Sequence, residues 1–126
     1  MLMYSRIDHL VITTAHLEAC LAFYQALGFS VRKAGSRHEL LGDGFKINVH
    51  TASGELDPHA AHPLPGSADF CVITSRDLDE ILTIARQNEF EIVIEKNPRT
   101  GFHGKMTSIY LRDPDGNLVE ISAYPE

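Results

Sequence analysis

The fold is decided by two stretches, Asp8-His9-Leu10-Val11-Ile12-Thr13-Thr14-Ala15-His16-Leu17-Glu18 and Asp69-Phe70-Cys71-Val72-Ile73-Thr74-Ser75-Arg76-Asp77-Leu78-Asp79. Aligned at an offset of 61, they match at Asp/Asp, Val/Val, Ile/Ile, Thr/Thr, Thr/Ser, Leu/Leu and Glu/Asp. An internal repeat of this kind means that one supersecondary unit occurs twice. Each copy opens with a β-branched run, which reads as a strand, and continues through a polar turn. A helix follows. Leu17, Leu21, Tyr24 and Leu27 recur at helical spacing before Gly28 in the first copy, as do Leu78, Ile81, Leu82 and Ala85 before Asn88 in the second.

A strand comes next in each half, Phe29 to Lys33 and Phe90 to Glu95, and each half closes with a hairpin. The second hairpin turns at Asp113-Pro114-Asp115-Gly116, where Pro presets φ and Gly accepts a positive one. The first turns at Gly42-Asp43-Gly44. The sequence therefore predicts an α+β fold of two pseudo-symmetric βαβββ modules, about 4–52 and 67–124, joined by a Pro/Gly/Ala-rich linker over 53–66. About 60 residues hardly bury a core alone, so 1–126 is expected to be a single domain, with both modules contributing to one curved mixed sheet around a metal cup. The hairpins align at an offset of 70, which sets His50 opposite Glu120. The extra residues around Asn97 to Lys105, with Pro98, Gly101 and Gly104, are expected to form a loop.

Composition narrows the class. The 126 residues are 44% hydrophobic and 22% charged, with a net charge of −6, which disfavours nucleic acid and anionic membrane as partners. No run of about 18 apolar residues offers a membrane span. Cys20 and Cys71 both lie in apolar periodic segments and read as buried thiols of a reducing, cytoplasmic compartment.

Strand alternation then selects candidate ligands. Leu10 and Ile12 face the helix and His9 faces away; Asn48 shares a face with His50, and Glu120 with Leu118 and Ser122. Ionisable groups on apolar strands are costly to bury unless paired or bound to metal. Two imidazoles and a carboxylate, His9, His50 and Glu120, suit one divalent ion with open positions: Fe(II), Zn, Mn, Ni or Co.

Arg6-Ile7-Asp8-His9-Leu10-Val11, Phe23-Tyr24 with Leu27-Gly28-Phe29, Lys46-Ile47-Asn48-Val49-His50 and the run from Tyr110 to Glu120 resemble the vicinal oxygen chelate superfamily. That group includes glyoxalase I, extradiol dioxygenases, fosfomycin-modifying enzymes and bleomycin-binding proteins. Pro65-Gly66-Ser67-Ala68-Asp69 and Arg99-Thr100-Gly101 resemble its virulence-protein type of glyoxalase-domain branch. The resemblance implies ligands on the first and last strands of each module. These are His9, His50, Glu120 and the position matching His9, which the offset of 61 makes Phe70. Asp69 beside it becomes a possible fourth ligand or a support for the ligands, although strand parity turns it toward the helix. Glyoxalase I uses two Glu ligands, and His50 in place of one argues against the standard glutathione-dependent isomerisation.

Extradiol dioxygenases pair two His and a Glu with a Tyr ten residues earlier, a place held here by Tyr110, although simple hairpin pairing sets Ile109 across from Glu120. The resemblance implies a metal-dependent lyase, isomerase or extradiol-type dioxygenase. Its small substrate would chelate the metal through adjacent oxygens, with Glu120 and Tyr110 catalytic. Asn48, Phe70, Arg99, Lys105 and Ser108 are the substrate-binding candidates. Arg99 and Lys105, in the inserted loop, would serve as a lid or anion clamp. A homodimer is implied, and the competing reading is a metal-free module that sequesters a small molecule.

Overall fold

The repeat read from the sequence is the order of elements in the computed structural model, which describes residues 1–54 and 57–126. Residues 55 and 56 of the expected linker lie outside the described residues. The chain divides into two compact units, Met1–Pro65 and Gly66–Glu126. The N-terminal unit contains β1 (His9–Thr14), α1 (Leu17–Ala26), β2 (Ser30–Ala34), β3 (Arg37–Leu41) and β4 (Lys46–Thr51). The C-terminal unit contains β5 (Asp69–Ile73), α2 (Leu78–Gln87), β6 (Glu91–Gly101), β7 (Gly104–Arg112) and β8 (Leu118–Ala123). Each builds a four-stranded mixed sheet, ordered β1-β4-β3-β2 and β5-β8-β7-β6. The first and last strands of each unit run parallel and the other neighbours antiparallel.

Each helix buries a stripe at helical spacing. On α1 the buried residues are Cys20, Phe23 and Tyr24; of the expected stripe Leu17, Leu21, Tyr24 and Leu27, only Tyr24 is buried. The fully buried Tyr24 ring meets Phe23 and Phe29 edge-on, with centroids 4.9 and 5.6 Å away. Such edge-to-face contacts add about 0.5–1.5 kcal/mol to the area buried. This compensates for a helix start at His16 with no side-chain cap. In contrast, α2 is capped by Asp77, which accepts from the Asp79 amide, and it carries Asp79 and Glu80 in its first turn and Arg86 in its last. These charges complement the helix dipole. Leu78, Ile81, Leu82 and Ala85 of α2 are buried, as are Ile109, Leu111, Val119 and Ile121 of the C-terminal sheet.

The expected loop at 97–105 is instead the end of a long hairpin, in which Asn97 pairs with Ser108 and Gly101 with Gly104 across β6 and β7. Pro98 is tolerated because β6 is the edge strand of its sheet. Shifts of register between Ile92 and Asn97 absorb the extra residues.

The repeat has two offsets. In β1 and β5 the equivalent positions are 60 apart: Lys46 N bonds Asp8 O as Leu118 N bonds Ala68 O, and Thr14 Oγ1 accepts from His16 N as Thr74 Oγ1 accepts from Arg76 N. The helices, starting at Leu17 and Leu78, are 61 apart. One extra residue thus lies between β5 and α2, and it moves every assignment made along β5 by one.

Candidate metal and substrate site

Register defines on each sheet the face left open by its own helix, on which Thr13, Glu39, Asn48, His50, Ser108 and Ser122 are nonetheless buried. In the N-terminal unit Val11 is level with Asn48, and Asn48 with Glu39, so one row crosses from Val11 through Asn48 and Glu39 to Arg32. A row toward one end holds His9, Lys46, Leu41 and Ser30; the row toward the other holds Thr13 and His50. In the C-terminal unit Cys71, Glu120 and Tyr110 form one row, flanked by Asp69, Leu118 and Arg112 on one side and by Ile73, Ser122 and Ser108 on the other.

These rows change several sequence assignments. The residue matching Glu120 in the N-terminal unit is Asn48, level with Val11 as Glu120 is level with Cys71; His50 matches Ser122. The residue matching His9 is Asp69, which shares the open face of Glu120, whereas Phe70 is level with the core residue Val119 and faces the helix side. Tyr110, not Ile109, pairs directly with Glu120, so no bulge is needed to bring them together. Lys105 lies on the opposite face from Glu120. There it lines a groove of about 800 Å³ with Thr74, Lys96 and Tyr124 near the start of α2.

His9 and His50 share a face but stand four rungs apart, about 13 Å along the strands at 3.3 Å per residue. Two imidazoles at metal–nitrogen distances of about 2 Å do not bridge that gap on one flat strand pair. His9 and Asn48, and likewise Asp69 and Glu120, stand two rungs apart on adjacent strands, about 8 Å between Cα atoms. Among the described residues, no group of three or more His, Cys, Asp or Glu is gathered to hold a metal.

Two of the candidate ligands are held at one atom and open at another. The exposed Asp8 carboxylate meets His9 Nδ1 at 2.9 Å, and this bond draws the Asp8 pKa below its ordinary value. A proton on Nδ1 leaves Nε2 with its lone pair outward, the arrangement that outer carboxylates impose on metal-binding histidines. Glu120 accepts through Oε2 from the buried Ser108 hydroxyl at 2.7 Å. Ser122 Oγ lies 2.6 Å from Ser108 Oγ, and Cys71 Sγ 3.2 Å from Ser122 Oγ. Each hydroxyl has one proton to give, so the short contacts resolve into a directed chain from Ser122 to Ser108 to Glu120, with the Cys71 sulfur beside Ser122. The weaker 3.2 Å contact of Ser122 with the carboxylate is then secondary. Among the described residues, Glu120 Oε1 carries no hydrogen bond. Cys71, expected buried, is exposed. Desolvation of its sulfur raises the thiol pKa, the Ser122 bond opposes this, and the Glu120 charge adds to it.

Arg99 is anchored rather than loose. Its Nε donates to Tyr110 Oη at 2.9 Å, and its Nη1 donates to the Asn97 side chain and to Pro98 O. The start of β5 is tied to β8 by Asn117, which sequence reading missed. Its Oδ1 accepts from Ala68 N at 2.9 Å and its Nδ2 donates to the buried Asp113 at 2.7 Å. Gly66 lies where this turn comes close. At φ +83° a Cβ there would sit 2.6 Å from Asp115 O.

A different arrangement occupies the open face of the N-terminal unit. Glu39, 2% exposed, receives Arg32 Nε and Nη2 at 2.9 and 2.6 Å on one oxygen and Lys46 Nζ on the other, with Arg37 Nη2 at 3.6 Å. These bonds, Lys46 first and Arg32 second, hold its carboxyl down to about 2. Arg37 Nε, Asn48 Oδ1 and His50 Nδ1 are buried with no hydrogen-bond partner among the described residues. A buried polar group left unpaired costs about 1–3 kcal/mol.

The repeated βαβββ unit, with one mixed sheet in each copy, agrees with one known family. A model described as the Glyoxalase/Bleomycin resistance protein/Dioxygenase superfamily matches residues 6–121. The chain belongs to that superfamily. Among its similar glyoxalase-superfamily relatives, the virulence protein STM3117 of Salmonella typhimurium is 45% identical over 121 residues, covering 94% of this chain and 84% of that protein. The crystal structure of STM3117 matches with a TM-score of 0.92 at 42% identity, covering 98% of this chain and 100% of that one. The glyoxalase domain-containing protein RDO1 of Mycosarcoma maydis is 37% identical over 95% of this chain and 69% of its own length. The integron cassette protein VCH_CASS1 from V. cholerae matches with a TM-score of 0.93 at 37% identity, covering 99% of both chains. No helix of this glyoxalase-superfamily chain is long and apolar enough, among the described residues, to cross a membrane.

Proposed function

We propose that this superfamily member is a metal-dependent enzyme, a lyase, isomerase or extradiol-type dioxygenase, acting on a small substrate that offers two adjacent oxygens. The candidate donors are His9 on the N-terminal unit, and Asp69 and Glu120 on the C-terminal unit. One observation carries the reading: His9 and Glu120 are each fixed at one atom by a neighbour and left open at the other. Asp69 adds an exposed carboxylate on the open face of Glu120 with no hydrogen bond or ion pair among the described residues. An imidazole and two carboxylates are donor types that a divalent Fe, Mn, Co, Ni or Zn ion takes. His50 is left out, because its register sets it four rungs from His9.

A bound ion supplies a Lewis acid for the two substrate oxygens. The chain's residues supply orientation and a proton. Ser108 pins Glu120 Oε2, so the carboxylate presents Oε1 in one orientation. Arg99 fills an acceptor position on Tyr110 Oη, which leaves the phenol proton free to be given to a substrate oxygen on the same row as Glu120. We further propose a homodimer in the cytoplasm; neither Cys20 nor Cys71 is in a disulfide, which suits a reducing compartment.

The test loads the purified protein in turn with Fe(II), Mn(II), Co(II), Ni(II) and Zn(II) and offers catechols and the hemithioacetals of α-ketoaldehydes. Turnover that disappears in Glu120→Gln is expected, and oxygen uptake assigns the dioxygenase branch. Tight ligand binding that needs no metal and gives no turnover would replace this reading with sequestration.

A further inference from the structure

We propose that the open face of the N-terminal unit is an oxyanion-binding subsite, built by Arg37, Asn48 and His50 and specific for a carboxylate or phosphate group of the substrate. The inference names a substrate class for the function above, but the subsite itself needs no metal. It rests first on the three orphaned atoms. Arg37 Nε, Asn48 Oδ1 and His50 Nδ1 are each buried and unpaired among the described residues, and Asn48 and His50 are only 5% and 8% exposed. Native proteins rarely leave buried polar groups without partners, and three on one face indicate a partner that arrives from outside.

The residues are also neighbours. His38 is level with Val49 and Glu39 with Asn48, so one rung further Arg37 stands beside His50. Paired side chains on adjacent strands are about 5 Å apart at Cβ, and Asn48 is two residues along the same strand from His50. A planar guanidinium, an imidazole N–H and a side-chain amide are the donors that oxyanions recruit. Asn48 Oδ1 is an acceptor, so this amide meets an oxyanion when it is turned over to present its NH₂.

Charge supports the same occupant. Glu39 is the carboxylate at the centre of this face, and three cations surround it: Arg32, Lys46 and Arg37. Arg32 and Lys46 occupy its two oxygens, while Arg37 stands off at 3.6 Å with its side chain 37% exposed. Glu39 therefore holds the cations in place without cancelling them, and a local excess of positive charge remains inside a chain whose net charge is −6. Arg37 is the member whose guanidinium is left to take a ligand.

The test uses metal-free full-length protein, titrated with inorganic phosphate and separately with lactate, followed by NMR of the His50 imidazole and the arginine Nε–H signals. Saturable shifts of His50 and Arg37 are expected with at least one anion, and the anion that binds more tightly assigns phosphate or carboxylate. Arg37→Met, which keeps the aliphatic stem, should weaken binding at least tenfold. His50→Gln should weaken it less, and Arg86→Ala on the exposed face of α2 should leave it unchanged. Absence of saturable shifts with both anions up to 50-fold the concentration expected for a millimolar site, about 50 mM, overturns the subsite. So does binding that Arg37→Met leaves intact. Either result leaves the metal-dependent reading standing, because no metal is present in the experiment.

Discussion

Replacing Asn117 with Ala should be among the most damaging single changes in the C-terminal unit, although Asn117 touches no proposed ligand. The residue is 1% exposed and makes two bonds at once, 2.7 Å to the Asp113 carboxylate and 2.9 Å from the Ala68 amide. The first is charge-assisted and buried, the second part-buried, and both partners lose a bond. The combined cost is about 2–4 kcal/mol. At roughly 2.1 cal/mol/K of unfolding entropy per residue, a chain of this size loses about 4 °C per kcal/mol, so the melting temperature should fall by about 8–15 °C. Circular dichroism melts of wild type and variant measure this directly. Asn88→Ala is the control, because exposed Asn88 makes one bond, to Ile84 O at 2.9 Å. A fall of less than about 3 °C for Asn117→Ala, or equal falls for the two variants, refutes the idea that this clamp docks β5 on β8.

Other outcomes follow from the same geometry. Glu39 has a folded pKa of about 2 against an ordinary 4.5, so its contribution to stability is complete above about pH 4.5 and is lost as pH falls through 2. Melting temperature against pH should drop across that window in wild type and flatten in Glu39→Gln. Ser108→Ala removes the 2.7 Å bond that orients Glu120 and should weaken metal binding about 10–100-fold, as changes behind metal ligands do. Ser108→Thr, which keeps the hydroxyl, should recover much of it, and the visible spectrum of the Co(II)-loaded protein reports both.

The fold was legible because two helices and two sets of strands repeat, and each half alone carries the period of its elements. The site was harder. In an apolar run such as Phe70-Cys71-Val72-Ile73, β-branched residues suit either face of a sheet, so a slip of one residue leaves the pattern intact while turning every side chain over. The extra residue before α2 produced that slip. The offset that fits Leu17 to Leu78 pairs His9 with Phe70, and only the hydrogen bonds of Asp8 and Ala68 show that Asp69 is the partner. The same kind of error set His50 against Glu120, where the ladder places Asn48. Hairpin pairing failed at Tyr110 because the turn is fixed by the Asp113 and Asn117 side chains, which a count of turn residues does not register. Pro98 with two glycines reads as a loop from sequence. It forms a strand here because an edge strand gives up one amide without loss.

The central claim is that binding of a divalent ion depends on His9, Asp69 and Glu120 and not on His50. Its most direct test is metal stoichiometry by equilibrium dialysis and elemental analysis of wild type, His9→Ala, Glu120→Gln and His50→Ala. The account predicts one tightly held ion per chain in wild type and in His50→Ala, and loss of that ion in the other two. Wild-type protein that retains no ion, or an ion lost with His50 but kept without Glu120, would contradict it.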